Sequence, residues 1–224
     1  MKFRHEYKFL LNEGDYLILR ARLRAVMARD AHTDGRCEYR IRSLYFDTPG
    51  DKALREKLDG VNCREKFRIR WYNGDLSFIS LEKKSKINGL CSKVSAQITG
   101  EEAQRLLDGD LSWMLDGSRE VAAELYAKMK FQQLRPKTIV DYTREPFVFP
   151  AGNVRVTLDR EIRTGVCGRD ALSPGAVTIP AGERTVLLEV KYDEFLPDLV
   201  RNAVSLGGRR SGAFSKYAAC RIYG

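Results

Sequence analysis

The sequence is poor in the residues that build zinc sites and disulfide frameworks. Its 224 residues include only two histidines and five cysteines. The cysteines are odd in number, widely scattered and never arranged as Cys-x-x-Cys, the spacing that zinc ligands and redox pairs commonly use. This pattern predicts reduced thiols in a cytoplasmic protein, and it argues against both a disulfide framework and a zinc site.

Long apolar runs are also missing. No stretch approaches the roughly 18 consecutive apolar residues of a membrane-spanning helix, and position 2 already carries a charge, so neither a transmembrane segment nor a signal peptide is predicted. The chain has no internal repeat, low-complexity tract or Pro/Ser-rich linker. Its length suits one domain, residues 1–224, with a sizeable hydrophobic core.

Acidic residues are in short supply relative to basic ones. Thirty Asp and Glu accompany 39 Lys and Arg, which gives a formal net charge of +9 and a pI near 9.4. Such an excess favours a polyanionic partner: nucleic acid, an anionic membrane or a phosphorylated small molecule. Composition alone leaves all three open.

Segments rich in β-branched and aromatic residues dominate the chain and predict about eight strands. Short turns such as Asn73-Gly74 and Asn88-Gly89 favour antiparallel pairing. The predicted strands cover residues 2–11, 37–47, 62–73, 76–86, 90–99, 136–149, 153–163 and 184–193, and the predicted helices cover 12–29, 100–108, 118–132, 197–206 and 213–222.

One predicted strand, REKFRIRWY, separates its basic residues from its apolar ones. Alternate side chains of a strand point to opposite faces. One face therefore holds Phe67, Ile69 and Trp71, and the other holds four cations spaced about 7 Å apart. Like charges at this spacing oppose folding, so this face calls for an explanation. Its four cations are Arg64, Lys66, Arg68 and Arg70.

The same alternation recurs in most predicted strands. A sheet with one solvated face would explain it, but a solvated face usually mixes both signs of charge, and here cations far outnumber carboxylates. Eight strands can close into a barrel. We therefore expect an α+β fold: an eight-stranded antiparallel barrel with the charged faces inside, lining a channel for a polyanion, and helices packed on the apolar outside. The inward cations are Lys8, Arg64, Lys66, Arg68, Arg70, Lys84, Lys86, Lys93, Arg144 and Arg155, and the inward carboxylates are Glu6, Glu82, Asp159 and Glu189.

A set of short motifs follows one order along nearly the whole chain. They are RHEYK near the start, SLYFDTP at 43–49, RIRWY at 68–72, LEKKSK at 81–86, YTRE at 142–145, RVTLD at 155–159, LLEVKY at 187–192 and FSKY at 214–217. This ordered set resembles the VTC domain, the catalytic domain of the eukaryotic vacuolar transporter chaperone polyphosphate polymerase and of its bacterial relatives. The VTC domain belongs to the triphosphate tunnel metalloenzymes, which include the CYTH proteins.

The resemblance implies a tunnel in which basic side chains bind a triphosphate and a Glu holds a divalent metal, Mn²⁺ or Mg²⁺. Glu189 matches the metal position. Glu6 is the next candidate ligand, with an ion pair to a tunnel cation as its alternative role. The basic catalytic positions are Lys8, Arg68, Arg70, Lys84, Lys93, Arg144, Arg155 and Lys216, and further candidates for phosphate contact are Arg64, Lys66, Lys86 and Lys191.

Two positions depart from the family pattern. CYTH relatives begin with Glu-x-Glu-x-Lys, and Arg4 replaces the first Glu, which favours a polymerase over a hydrolase or cyclase. Ala213 replaces a Lys expected three residues before Lys216, and only Arg209 and Arg210 are placed to compensate. The regulatory and membrane parts of the eukaryotic proteins are missing, so we expect a free-standing catalytic module.

The resemblance implies a metal-dependent transfer of the ATP γ-phosphate to polyphosphate, with release of ADP. Phosphoryl transfer asks a protein mainly for positioning and charge stabilisation. The growing chain end is already ionised and needs no strong base, which fits the lack of a candidate catalytic histidine. His5 lies on the same face of its predicted strand as the apolar residues, and His32 lies in a predicted loop. Tyr45 and Asp47 are expected to serve strand packing and a turn.

Three alternatives remain. In the same fold, a tripolyphosphatase or nucleoside triphosphatase would use water as the acceptor, and a non-catalytic module would only bind polyphosphate. Nucleic-acid binding is disfavoured, because aromatic residues that stack on bases should share a face with the cations, whereas Phe67 and Trp71 lie opposite them. ATP and polyphosphate or triphosphate are therefore the expected partners, and the oligomeric state stays open.

Overall fold

The computed structural model describes residues 4–30, 33, 35, 37–88, 90–166 and 170–223. His32 lies outside these residues. The strands are β1 (His5–Leu11), β2 (Ala28–Arg29), β3 (Tyr39–Asp47), β4 (Arg64–Tyr72), β5 (Asp75–Ile87), β6 (Leu90–Ile98), β7 (Arg135–Phe149), β8 (Val154–Val166), β9 (Ile179–Pro180) and β10 (Val186–Tyr192). The helices are α1 (Glu13–Val26), α2 (Lys52–Leu58), α3 (Gly100–Asp108), α4 (Glu120–Gln132), α5 (Asp198–Val204) and α6 (Lys216–Tyr223).

The eight predicted strands and five predicted helices are all present, and local caps explain where two of the helices begin. Asn12 accepts a hydrogen bond from the Asp15 amide (2.8 Å) at the start of α1. Thr99 and Glu102 form a reciprocal capping box on α3. Helix α2 was not predicted, and its first turn is held by a residue several positions upstream: Asp47 accepts the Ala53 amide at 2.9 Å.

The strands form one curled antiparallel sheet, a half-barrel. Its order is β1-β10-β8-β7-β3-β4-β5-β6, while β2 pairs with β7 and β9 pairs with β8. Hairpin β4–β5 turns at Asn73 and Gly74, whose φ values of 52° and 77° suit a type I′ turn. Strands β1 and β6 form the two edges, and within the described ranges no hydrogen-bonded ladder joins them.

The apolar side chains of the strands lie on the convex face of the sheet, where they are buried. Helices α3 and α4 cover one half of it, where Phe67, Ile69 and Trp71 are each at most 1% exposed. Helices α1 and α5 cover the other half, packing on β1, β8 and β10. Complete burial of each such side chain contributes roughly 1.5–3 kcal/mol, so packing on this face stabilises the sheet.

Helices α2 and α6 differ from the others, because they pack against the concave face. Tyr217 of α6 stacks on Tyr45 of β3 (ring centroids 5.0 Å apart) and donates a hydrogen bond to Asp47. Cys220 and Tyr142 join the same buried cluster. The prediction of helices on the outside holds for α1, α3, α4 and α5. The aromatic patch on the concave side explains the position of α6. In the described part of the chain, no helix is long and apolar enough to cross a membrane.

Candidate active site

The concave face gathers the charged residues from six strands and from α6. Cross-strand partners share a face, and the register keeps the predicted parity: Lys8 lies opposite Glu189, and Lys66 lies opposite Lys84. The contributors are Glu6 and Lys8 (β1), Glu189 and Lys191 (β10), Arg155 and Asp159 (β8), Arg144 (β7), Lys66, Arg68 and Arg70 (β4), Glu82 and Lys84 (β5), and Lys216 (α6), with Lys93 on the neighbouring strand β6.

A buried ion pair lies near the middle of the concave face. The Arg68 guanidinium donates to Glu82 at 2.7 Å from Nε and to the Tyr45 hydroxyl at 2.7 Å from Nη1, and Lys93 lies 3.4 Å from Glu82. Burial raises the pKa of Glu82, but the positive charges of Arg68, Arg70 and Lys93 outweigh it and hold the pKa at about 2. Burial likewise raises the pKa of Tyr45, but Arg68, Lys66 and Arg70 lower it to about 8.

Arg70 is buried with neutral partners. It donates to the Ser43 hydroxyl and to the Tyr142 hydroxyl, each at 3.1 Å. In the described ranges no carboxylate oxygen lies within 4.0 Å of its guanidinium nitrogens. The direct hydrogen-bonding partners of Arg70 in the described structure are therefore uncharged.

A second cluster centres on Asp159, which is fully buried. Arg144 binds it in bidentate fashion, at 2.6 Å and 2.7 Å, and Lys216 lies 2.5 Å from its Oδ2. Burial raises the pKa of Asp159, but Arg144 and Lys216 outweigh it and lower the pKa. Both cations also lie over the Tyr142 ring, with Lys216 Nζ 4.6 Å from its centroid. Asp159 thus holds two predicted phosphate ligands in place.

Four residues on β1 and β10 form a ring of alternating charge. Lys8 Nζ lies 3.3 Å from Glu189 and 3.6 Å from Glu6, while Lys191 Nζ lies 3.0 Å from Glu189 and 3.3 Å from Glu6. Burial raises the pKa of Glu189, but Lys191, Lys216 and Lys8 hold it well below its usual range. Glu189 is therefore ionised at neutral pH, as a metal ligand must be.

Two half-buried lysines on the concave face, Lys66 and Lys84, lie apart from the carboxylates that the structure describes. In the part of the chain that the structure describes, no carboxylate lies within 4.0 Å of the amines of Lys66 and Lys84. Burial lowers the pKa of Lys84 well below its usual value, and Arg68 and Lys191 lower it further. Burial and Arg68 also lower the pKa of Lys66. Lys191 lies on β10 and Lys84 on β5, in opposite halves of the sheet order. The effect of the Lys191 charge on Lys84 therefore indicates that the two halves of the curled sheet face one another.

One mouth of the concave channel carries further cations. Lys57 of α2, Arg64 of β4 and Lys86 of β5 are half-buried, and among the described residues none has a carboxylate within 4.0 Å. Arg64 donates to the Val61 carbonyl. Burial lowers the pKa of Lys57, and the charges of Arg64, Lys8 and Lys86 lower it further.

Arg155 has strong protein partners of its own. It lies 2.7 Å from Asp30 and donates to the Tyr39 hydroxyl at 2.9 Å. Of the two cations proposed to replace the lysine missing at Ala213, Arg209 pairs with Asp15 of α1, on the convex side, and Arg210 is exposed. Arg209 is therefore not placed to compensate for Ala213, because its guanidinium is paired behind the sheet.

The sequence interpretation missed the hydroxyl groups of the site. Tyr45 was expected only to pack, yet it bonds Arg68; Tyr142 and Ser43 bond Arg70. Alternation was the available signal, since Ser43 and Tyr45 share one parity on β3. The predicted passive role of His5 agrees with its position, stacked on Tyr192 with ring centroids 4.9 Å apart.

A metal site on this face depends on how its carboxylates are arranged. No group of three or more His, Cys, Asp or Glu side chains suited to a metal occurs among the described residues. Glu189 and Glu6 do share two ammonium partners, so their carboxylates lie close together. One or two carboxylates together with phosphate oxygens are a usual ligand set for Mg²⁺. The residues present therefore fit a metal that binds together with a phosphorylated ligand.

Comparison with known protein families points to the family that the sequence motifs resemble. The VTC domain family matches residues 3–222. The chain belongs to this family. As expected for a VTC domain, its curled antiparallel sheet with helices is of the triphosphate tunnel type, so the predicted family and fold class are confirmed.

Solved structures resemble this VTC domain at low sequence identity. A putative adenylate cyclase from Bacillus halodurans has a TM-score of 0.52 and 16% identity, covering 85% of this chain and 80% of its own. Two Pyrococcus horikoshii OT3 proteins, PH1819 and PH1012, have TM-scores of 0.44 and 0.46 and identities of 14% and 12%; each covers 90% of this chain, and 84% and 85% of its own. No curated protein sequence matches the chain.

Proposed function

We propose that this VTC domain transfers the γ-phosphate of ATP to a polyphosphate chain and releases ADP. The proposal is carried by a set of cations on a concave and partly dry surface that have no carboxylate within 4.0 Å among the described residues: Lys66, Lys84 and Arg70. Desolvated cations are costly unless an anion neutralises them. A triphosphate or polyphosphate matches this requirement along its whole length, because every phosphoryl unit carries charge.

The protein side chains supply positioning and charge. Arg70 can exchange its two hydroxyl partners for phosphate oxygens, and its planar guanidinium can grip two of them at once. Lys66 and Lys84 act as point charges beside it. Arg144 and Lys216, held by Asp159, keep a fixed position against the same ligand. Preorganised charge of this kind stabilises the negative charge that spreads over the transferred phosphoryl group.

Glu189 and Glu6 would hold Mn²⁺ or Mg²⁺, which neutralises phosphate charge when bound. To do so they must exchange the ammonium groups of Lys8 and Lys191 for the metal. Those lysines then become free to bind phosphate. The first carboxylate of the CYTH pattern has no equivalent, because Arg4 takes its place and lies 2.8 Å from Asp193. This smaller carboxylate set favours transfer to a phosphate chain over hydrolysis.

The test is incubation of the protein with ATP and Mn²⁺, followed by separate assays for ADP, free phosphate and long-chain polyphosphate. Polyphosphate and ADP should accumulate together. Free phosphate equal to ADP, without polymer, would identify a triphosphatase. Binding of tripolyphosphate with no turnover would identify a polyphosphate-binding module.

A further inference from the structure

A second cavity, of about 480 Å³, lies behind the wall of the channel. Strands β1 and β10 form its floor with their convex faces, through Tyr7, Phe9, Val190 and Tyr192. The Tyr7 and Tyr192 rings lie 5.9 Å apart, and their hydroxyls are within hydrogen-bonding distance. Helix α5 and the loop that follows it form the remaining walls. The cavity therefore offers an aromatic floor within the size range of small-molecule sites.

The charged side chains that line this cavity are both positive. Arg201 and Arg209 line it with two serines, and its described lining includes no carboxylate. Arg201 pairs with Asp198, but both side chains are more than 60% exposed, so this pair is weak. Arg209 contacts Asp15, which lies outside the lining. A guanidinium has five N–H donors, so both arginines keep donors for a ligand.

We propose that this cavity binds a small amphipathic anion, an aromatic ring system bearing one carboxylate, sulfate or phosphate group. The ring system would lie on the floor of Tyr7, Phe9 and Tyr192, where aromatic contacts are favourable. The anionic group would bind Arg201 and Arg209 through charge-assisted hydrogen bonds. Bare polyphosphate does not suit the cavity, because it has no apolar part to cover this floor.

The cavity and the channel share their walls, so a ligand in one should affect the other. Lys8 and Glu189 face the channel from the strands whose opposite faces form the cavity floor. The cavity loop continues to Gly212, whose amide donates to the Lys8 carbonyl at 2.9 Å, and to Phe214, whose carbonyl accepts from Lys8 Nζ at 3.4 Å. We therefore expect the anion to change tripolyphosphate affinity, and linkage requires the reverse effect to be equal. This coupling rests on the proposed phosphate-binding function of the channel.

The binding test compares two dyes of nearly the same shape, without ATP. Anilinonaphthalene sulfonate carries the required anion, and N-phenyl-1-naphthylamine lacks it. The sulfonate should bind roughly tenfold more tightly or better, as expected when a charged hydrogen bond is made. R201Q and R209Q should each remove most of this preference, whereas R184Q, an equal charge change at an exposed loop residue, should not.

Equal affinity for the two dyes, or equal losses in R184Q and R209Q, would overturn the cavity proposal. Displacement of the sulfonate by tripolyphosphate in simple competition would also overturn it, since the dye would then occupy the channel. Tripolyphosphate titrations of each variant serve as the folding control. A tripolyphosphate affinity unchanged by saturating dye would overturn the coupling alone. These outcomes do not depend on polymer synthesis, so failure of the proposed enzymatic function remains distinguishable.

Discussion

Arg68 and Glu82 face one another across β4 and β5, with 2.7 Å between Nε and Oε2, and both are buried. Removing one partner of a buried ion pair leaves an uncompensated charge and costs about 3–5 kcal/mol. Glu82→Gln should therefore lower the free energy of unfolding by about 3 kcal/mol in urea denaturation, and tripolyphosphate should restore part of the loss. Asp198→Asn, which breaks an exposed pair with Arg201, should change it by less than about 1 kcal/mol. Equal losses would show that the Glu82 pair is solvated.

Lys84→Met removes a half-buried cation and keeps a side chain of similar length. The apo protein should become more stable by about 1 kcal/mol, the lower end of the range for replacing buried ions with apolar groups. Tripolyphosphate at 100 times its dissociation constant adds about 2.7 kcal/mol to the wild type, and the variant should lose much of this at equal ligand concentration. Thermal melts with and without tripolyphosphate measure both effects. An identical ligand-induced shift in the two proteins would remove Lys84 from the phosphate site.

Glu189→Gln should abolish metal-dependent turnover while tripolyphosphate still binds. The amide keeps the shape of the side chain but supplies no negative charge to a metal, whereas the Arg and Lys contacts to phosphate persist. The measurements are product formation over a range of Mn²⁺ concentrations and tripolyphosphate binding by calorimetry. Glu6→Gln is the matched variant and should weaken activity less. Turnover restored to the wild-type level by excess Mn²⁺ would contradict the assignment of Glu189.

The pH dependence of apo stability follows from Lys84 and Tyr45. Their folded pKa values lie below the values of 10.5 and 10.0 in the unfolded chain, and that of Tyr45 is about 8. Between pH 7 and 9 the unfolded state therefore binds more protons, so stability should rise with pH in this window. The buried Cys220 thiol, with its pKa raised from 9.0 to about 12, acts in the opposite sense once the unfolded thiol begins to ionise near pH 8, and it offsets part of this rise. Urea denaturation at pH 7, 8 and 9 checks the slope, and a flat or falling series would contradict it.

Tripolyphosphate binding should be accompanied by proton uptake at alkaline pH, below the ordinary lysine pKa of about 10.4. An anion beside Lys84 favours its charged form and raises its pKa. Calorimetry in buffers of different ionisation enthalpy gives the number of protons taken up. The Lys84→Met variant lacks this contribution, whereas protonation of the ligand itself is the same in both proteins. The difference in proton uptake between wild type and variant therefore isolates Lys84. Equal uptake in both would place the titrating group elsewhere.

The cations at one mouth predict a dependence on chain length. Lys57, Arg64 and Lys86 lie beyond the central cations, so a long polyphosphate would reach them and a triphosphate held at Arg70 would not. Arg64→Gln with Lys86→Gln should weaken binding of long-chain polyphosphate several-fold and leave tripolyphosphate affinity within about twofold, at low salt so that screening does not hide the effect. Arg29→Gln with Arg184→Gln is the charge-matched control. Equal weakening of both ligands would place the mouth residues in the central site.

Much of the channel was predictable because strand alternation has a strict period of two. A slip of one residue would move every side chain of a strand to the opposite face. The positions of the charged residues in β1, β4, β5, β7, β8 and β10 therefore predicted which side chains meet on the concave face. Helix α2 was missed because Asp47 holds its first turn from outside the helix. The contact of Arg209 with Asp15 joins residues far apart in sequence, and no local pattern encodes it.

The edge strands β1 and β6 of the half-barrel determine how a bound polymer would leave the channel. A ring of hydrogen-bonded strands has to be threaded, and a long chain inside it can escape only at an end. Here the described parts of β1 and β6 share no ladder, so the seam between them can widen without breaking a backbone hydrogen bond. If the chain performs the proposed synthesis, a polyphosphate can then depart sideways at any length, and synthesis would be distributive, with many chains lengthening together instead of one chain at a time.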